Sequence, residues 1–167
     1  MAKKSIFINE ASYAECAQCA FETPYTSNSP ATCSIGGFTN GQYWCSTEHS
    51  SIYAKYQIFS SGSQFFTFKY SDFYVRACRS FTAGVGDYVV GDTGPAGGLI
   101  FYIDGTIYYE AAPSDQSTGE VWSNVNKEIG VTAQGEAIGT GQANTTAIIG
   151  QTDHTNSAAK LCDDLVI

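Results

Sequence analysis

The sequence has few charged side chains and no long apolar run. Only 14% of its 167 residues are charged, and the formal net charge is −8 at pH 7. An acidic chain of this kind has no general electrostatic attraction for phosphate backbones or anionic lipid, so we expect no nucleic-acid partner. No segment approaches the roughly 18 apolar residues that a membrane-spanning helix needs, so we expect no membrane insertion.

The first ten residues also lack the core of a signal peptide. Lys3 and Lys4 give a basic start, but the apolar stretch after them is about three residues long, against roughly 7 to 15 in a signal peptide. Ordinary secretion is therefore not expected. Six cysteines are nevertheless many for a cytosolic protein. A phage virion protein, assembled in the cytoplasm and then exposed, would reconcile both facts, so we expect a virion or an extracellular surface.

Charge and composition divide the chain into segments. Residues 1–83 carry six basic and five acidic side chains, a net charge of +1, which leaves −9 for residues 84–167. The composition changes at the same point, from Tyr, Phe and Ser to Gly, Ala, Thr and acids. These shifts predict an irregular, cysteine-containing segment at 1–40, a second segment at 41–83 and a third at 84–167. The 43% hydrophobic content predicts a folded chain with many strands.

Alternating apolar residues predict an antiparallel meander in the second segment. Strands are expected at 41–48, 54–59, 64–70 and 73–81. In the last of these, Phe73, Val75, Ala77 and Phe81 have the same parity and are expected on one face.

The third segment predicts one hairpin and two short helices. Asp104-Gly105 is a turn signal between strands at 99–103 and 106–111. Helices are expected at 143–149 and 157–165, the second capped by Thr155, Asn156 or Ser157. The GTGQAN run at 139–144 has the first two glycines of a dinucleotide-binding fingerprint but Asn144 in place of the third, so we expect no nucleotide cofactor.

The cysteines do not form a persuasive metal or redox motif. Cys16 and Cys19 have metal-ligand spacing, and Cys33 with Cys45 would complete four thiolates, but eleven residues separate the second pair. A redox CxxC motif would open a helix after a strand, whereas prolines and Ser/Thr residues here favour a loop. Disulfides or buried thiols are the preferred interpretation, and no metal or other cofactor is expected.

Several motifs together resemble a known bacterial and phage family. They are GDTGPAGGLIFY at 91–102, EAAP at 110–113, IGTGQANT at 138–145, AAKLCDDL at 158–165, YWCSTE at 43–48, AKYQIF at 54–59, SGSQ at 61–64 and VRACRSF at 75–81. The family is that of the C-terminal domain of collagen-like adhesins, whose C-type-lectin-like fold is related to formylglycine-generating enzymes. The resemblance implies an α+β, antiparallel β-rich fold with two short helices.

The order of the family's two halves is inverted in this chain. The motifs at 91–165 resemble the family's N-terminal part, and those at 43–81 resemble its C-terminal part. Such a chain can complete the fold within itself, as a circular permutant, or between subunits, with residues 84–167 of one copy on residues 1–83 of the next. We favour the version between subunits, which predicts a homo-oligomer or filament.

The resemblance also bears on two cysteines. The family usually has serine where Cys45 stands and valine where Cys78 stands, on strands that it implies are neighbours. A disulfide between them and a pair of packed thiols are both compatible with this placement.

A second resemblance concerns the side chains of the meander, which are similar to the variable regions of proteins diversified by retroelements. It implies a partner-facing surface over 49–56 and 65–73, a host-surface glycan or protein being the partner. The alternative is that half of these aromatic residues belong to the core. The candidate contact residues are His49, Ser50, Ile52, Tyr53, Tyr56, Phe65, Phe66, Phe68, Tyr70, Asp72 and Phe73.

These features predict a protein that is not an enzyme, displayed on a virion or surface and binding a ligand or its own copies. One alternative is a carbohydrate-binding lectin that uses an acidic cluster and a tryptophan platform, with or without calcium. Another is an enzyme of the formylglycine type, although its active-site pattern is not recognisable. Arg76 and Arg79 are expected to pair with carboxylates or carbonyls rather than reach a ligand.

Overall fold

The computed structural model describes residues 3–6, 38–61 and 63–166, and this part of the chain forms a mixed α+β fold rich in strands. The strands are β1 (Lys3–Ile6), β2 (Gln42–Glu48), β3 (Tyr53–Ile58), β4 (Gln64–Phe68), β5 (Phe73–Val75), β6 (Ala77–Thr82), β7 (Leu99–Asp104), β8 (Ile107–Ala111) and β9 (Ser117–Glu120). The helices are α1 (Gly141–Ile149) and α2 (Ala158–Asp164). Neither helix has the length and apolar character that crossing a bilayer requires.

The strands form two sheets. The four-stranded sheet has the order β1-β6-β8-β7 and is antiparallel throughout. The five-stranded sheet has the order β4-β3-β2-β5-β9, in which only the β2–β5 pair is parallel. Both helices contact β1. One buried cluster joins residues from the two sheets and the two helices, including Trp44, Val75, Ala111, Ile148 and Ala159.

The predicted meander is correct for its first three strands and wrong for the fourth. The residues expected as a single strand at 73–81 form β5 and β6, which belong to different sheets. The chain crosses between the sheets at Arg76, which is buried and pairs with Asp115 at 2.7 Å. Gln116 bonds to the chain on both sides of this crossing. Its backbone N–H donates to Val75 O, and its side-chain oxygen accepts from Ala77 N–H. Phe73 and Phe81 therefore do not share a face of one strand.

The two halves of the chain meet within one molecule. β6 of the first half pairs with β8 of the second, and β5 pairs with β9. The halves therefore pair within this one chain, and the completion between subunits that the sequence favoured stays a prediction. Three ion pairs also join a base of the first half to an acid of the second, namely Lys55–Glu136, Arg76–Asp115 and Arg79–Glu110.

The first segment is not wholly irregular, since Lys3–Ile6 forms β1 and pairs with β6. Cys16, Cys19 and Cys33 lie outside the described residues. The helices expected at 143–149 and 157–165 are present with slightly different ends. Ser157 is the cap of α2, because its hydroxyl accepts a hydrogen bond from Lys160 N–H.

The GPAGG run is required by close packing against β8. Gly98 leaves no room for a side chain, since a Cβ there would lie 1.6 Å from Ala111 O. A Cβ at Gly94 would lie 2.5 Å from the carboxyl carbon of Glu110. Gly97 has a φ of +82°, which only glycine adopts readily. This motif therefore lets a loop backbone approach the buried Glu110.

We predict that Gly98→Ala lowers the free energy of unfolding by about 2 to 4 kcal/mol, because the added methyl group collides with backbone that cannot rotate away. Gly119→Ala is the matched control, since its Cβ would meet Asp72 Cβ at an ordinary 3.6 Å. Urea unfolding of both variants measures the difference. Equal stability of the two variants would contradict the close approach.

We also predict a pH-dependent contribution from His154. Burial lowers the pKa of His154 below its usual 6.5, and Lys160 lowers it further. Nε2 lies 2.9 Å from the Ser157 hydroxyl, whose oxygen already accepts from Lys160 N–H. The native state therefore binds fewer protons than the unfolded state, so stability falls as the pH drops through about 6.5.

His154→Gln should remove part of that loss. The measurement is the midpoint of urea unfolding between about pH 7.5 and about pH 5.5, the range in which histidine titrates. If the variant loses as much stability as the original protein over this range, His154 is not responsible.

Candidate functional site

The β3–β4 hairpin projects its side chains from two faces. Among the described strands, β4 pairs with β3 alone and forms an edge of the five-stranded sheet. The register places Tyr53 opposite Phe68 and Lys55 opposite Phe66 on one face, and Tyr56 opposite Phe65 on the other. The central strand β2 is buried over Tyr43–Glu48, whereas β4 has no fully buried residue. Side chains of the edge strand β4 are therefore more exposed than those of the central strand β2.

One face of the hairpin carries a continuous set of four exposed rings and one half-buried ring, Tyr53, which we name the aromatic surface. It consists of His49, Tyr53, Phe66, Phe68 and Tyr70. His49 stacks on Phe66 at 3.9 Å between ring centroids, and Phe68 stacks on Tyr70 at 4.9 Å. Tyr53 joins the two stacks, at 5.6 Å from Phe66 and 4.8 Å from Phe68. Phe66 is 51% exposed and Tyr70 57% exposed, so these rings contact their neighbours and remain accessible to solvent.

The other face contains an inner aromatic row of Trp44, Tyr56 and Phe73. Phe73 lies 4.7 Å from Trp44 and 4.8 Å from Tyr56. Trp44 is fully buried, and its indole N–H donates to Glu120 O at 2.7 Å. Phe65 flanks this row, 6.2 Å from Tyr56, and is 55% exposed. Tyr56 and Phe73 thus pack against the core and are not part of the aromatic surface.

The remaining candidate residues lie at the ends of the hairpin. Ser50 has a local role, because its hydroxyl accepts from Tyr53 N–H at 3.2 Å. Ile52 and Asp72 are exposed. Of the eleven candidates, the structure therefore joins five in the aromatic surface, and it places Tyr56 and Phe73 against the core. The alternative, in which half of these aromatic residues belong to the core, describes this pair.

A buried ion pair that the sequence did not reveal lies at the base of the hairpin. Lys69 directly follows β4, Glu48 ends β2, and both side chains are fully buried with Nζ 2.6 Å from Oε1. Lys69 also donates to Lys127 O and lies 5.0 Å from the centre of the Trp122 ring. In the sequence, the only sign of this ion pair is that Glu48 is a charged residue at the end of an apolar strand.

The carboxylate of Glu48 is fully used by structural partners. Besides Lys69, it accepts from the backbone N–H groups of Ile129 and Gly130 at 2.9 to 3.0 Å. An acid and an amine in contact are a common catalytic combination, but here both carboxylate oxygens accept hydrogen bonds within the chain, and Lys69 donates two. We therefore interpret the pair as a clamp that fixes the loop at 127–130 and the end of the hairpin.

A second buried carboxylate has the same arrangement in the other sheet. Glu110 accepts from Arg79 Nε and Nη2 at 2.8 to 2.9 Å. It also accepts from the backbone N–H groups of Ala96 and Gly98. Arg76 pairs with Asp115. The prediction that Arg76 and Arg79 pair with carboxylates is thus confirmed.

The two cysteines singled out by the resemblance are not on neighbouring strands. Cys45 lies on β2 and Cys78 on β6, in different sheets, and no disulfide joins them. The switch of sheets at Arg76 separates them. Cys162 of α2 is near Cys78 instead, and its pKa is raised well above the usual value by burial, with a further contribution from Cys78. This thiol is therefore protonated at neutral pH and poorly reactive.

The two tryptophans do not provide the sugar platform that the lectin alternative requires. Trp44 and Trp122 are both fully buried, so neither offers a platform to a sugar ring. Their indole N–H groups donate to backbone carbonyls, those of Glu120 and Cys45. Within the described residues, no group of three or more His, Cys, Asp or Glu side chains is placed to hold a metal ion.

Comparison of the chain with protein-family models, with curated proteins and with solved structures found no match.

We predict that Lys69→Met lowers the free energy of unfolding by about 3 to 5 kcal/mol, because it leaves the Glu48 charge buried without a cation. Lys127→Met is the matched control. That side chain is 73% exposed and only 3.9 Å from Asp153, and its backbone carbonyl still accepts from Lys69. It should cost less than about 0.5 kcal/mol. Thermal and urea unfolding measure both, and comparable losses would show that the buried pair is not a clamp.

Proposed function

We propose that this protein is a non-enzymatic binding protein of a virion or cell surface, which contacts a host-surface ligand through the aromatic surface. The observation that carries the proposal is the continuous set of five rings in contact on one face of the edge hairpin, two pairs of which are stacked. Rigid aromatic side chains provide a large contact area and lose little conformational entropy on binding. Rings that already pack against one another lose even less conformational entropy when a ligand binds.

The clamp beneath the hairpin supports this function. Glu48 and Lys69 fix the two chain positions that flank β3 and β4, and neither side chain takes part in the aromatic surface. A contact surface that is ordered before binding loses less free energy when it engages its ligand. Rings that lie outside the core can also be exchanged with little effect on stability, which suits a variable region.

The proposal includes a C-type-lectin-like fold with its halves in permuted order. Two observations support it. The halves that the resemblance placed in inverted order pair strand to strand within the chain, as β6 with β8 and β5 with β9. The GPAGG motif and Glu110, both in the segments that resemble the family, form one packed unit.

We predict that Phe66→Ala weakens ligand binding at least tenfold while the melting temperature stays nearly unchanged, since a central contact ring contributes more than about 1.4 kcal/mol. The assay is binding of fluorescently labelled protein to a panel of bacterial strains. Periodate treatment of the cells would abolish binding to a glycan, and protease treatment would abolish binding to a surface protein.

Phe65→Ala is the matched control. Phe65 is the neighbouring residue of β4, it is equally exposed, and it lies on the opposite face. The proposal requires that Phe65→Ala binds like the original protein. Equal weakening by both substitutions, or unfolding by Phe66→Ala, would contradict the assignment of the aromatic surface.

A further inference from the structure

The four edges of the two sheets are not equally protected. β1 and β7 are the edges of the four-stranded sheet, and β4 and β9 are those of the five-stranded sheet. The free N–H and C=O groups of an edge strand can pair with another chain, and proteins usually block them with charges, glycine or proline, short strands or a covering loop. An edge without any such device is a candidate interface.

The edge at β7 is covered by the loop before it. Gly91 N–H donates to Ile100 O at 2.8 Å, Ile100 N–H donates to Asp92 O at 2.9 Å, and Thr93 forms a bridge to Leu99. The first half of β7 thus already has a backbone partner on its outer side.

β1 and β9 are protected by composition and length. β1 has four residues, two of which are Lys3 and Lys4. β9 also has four residues and includes Gly119, whose backbone N–H and C=O both bond to the Ser117 hydroxyl. Neither strand offers a long, uncharged edge to another chain.

Among the residues that the structure describes, none covers β4, and the strand is one residue longer than β1 and β9. Its sequence, QFFTF, contains no charge, glycine or proline. The bonds of Ile58 N–H to Ser63 O and of Lys69 N–H to Ile52 O fix which positions of the strand face β3. By alternation, the backbone groups of Gln64, Phe66 and Phe68 point away from β3. Of these groups, Phe68 O accepts from Ser71 N–H in the following turn.

We propose that β4 is a dimerisation edge, which pairs antiparallel with β4 of a second copy about a two-fold axis at Phe66. In this register Phe66 lies opposite its own copy, and Gln64 lies opposite Phe68. About four hydrogen bonds form between the free backbone groups, two between the Phe66 residues and one from each Phe68 N–H to the opposite Gln64 O. The two five-stranded sheets become one continuous sheet, with closed two-fold symmetry.

A second copy is the partner that the charges and side chains of this edge favour. The molecule has a net charge of −8, but the seam itself contains no charge to repel its copy. The nearest cation, Lys55, pairs with Glu136 of its own chain. Because a two-fold axis perpendicular to the sheet keeps each face on its own side, the aromatic surfaces of the two copies become adjacent. This route to self-association does not depend on exchanging halves between subunits.

The register is tested with opposite charges at the two-fold axis. Analytical ultracentrifugation should show a dimer of the original protein that dissociates on dilution. Phe66→Lys and Phe66→Glu should each weaken the dimer at least tenfold, because like charges then face each other. An equimolar mixture of the two variants should restore it as a heterodimer. A monomeric original protein at every soluble concentration, or a mixture no more associated than its components, would overturn the proposal.

The contribution of the backbone is tested at the same residue. Phe66→Pro removes the outward N–H without removing a bond to β3, and proline is tolerated on edge strands. Phe66→Ala keeps this N–H. The proline variant should dimerise at least tenfold more weakly than the alanine variant, with both folded by circular dichroism. Equal dimerisation would show that main-chain pairing is not involved.

These outcomes are separable from those of the proposed function. The mixture of Phe66→Lys and Phe66→Glu lacks the ring at position 66 in both copies, so it should dimerise without binding cells. Loss of cell binding therefore leaves the dimer proposal standing, and a monomeric protein that binds cells leaves the proposed function standing.

Discussion

The fold depends on two buried carboxylates, each of which holds a cation and a loop. Glu48 binds Lys69 and the backbone of Ile129 and Gly130, and Glu110 binds Arg79 and the backbone of Ala96 and Gly98. A buried charge is tolerated only where its partners replace the water that it loses. Each carboxylate therefore fixes the position of its cation and of its loop. Each of the two sheets contains one such carboxylate.

This constraint explains how a rigid hairpin can present side chains that the core does not need. The clamp acts on Lys69, one residue beyond β4, and on Glu48, at the end of β2. Between these positions, exposure increases from the buried β2 to the edge strand β4. The rings at the edge contact one another and solvent, so the core does not depend on their identity.

The two halves of the chain are joined by bonds that do not depend on the order in which the halves are connected. The two backbone ladders and the three ion pairs that join the halves form between residues far apart in sequence. The unequal charges of the halves, +1 and −9, are partly matched in these pairs. The same contacts would form whichever half came first, provided that the link near residues 82–90 allows the halves to meet.

The sequence by itself determined the local structure. The hairpin at Asp104-Gly105, the strands β2, β3 and β4, the two short helices and the cap at Ser157 all follow from patterns within a few residues. It also identified the aromatic residues of the hairpin and the structural roles of Arg76 and Arg79. These features are predictable because turn chemistry, capping and alternation act between near neighbours.

Only the tertiary structure decided what depends on distant contacts. The change of sheets at Arg76, the parallel pairing of β5 with β2 and the burial of both tryptophans were not predictable. The division of the hairpin rings into an exposed and an inner set was not predictable either, because alternation tells which residues share a face but not which face is covered. Glu48 and Lys69 are 21 residues apart, and only the folded chain brings them together, since no local pattern determines the partner of a buried charge.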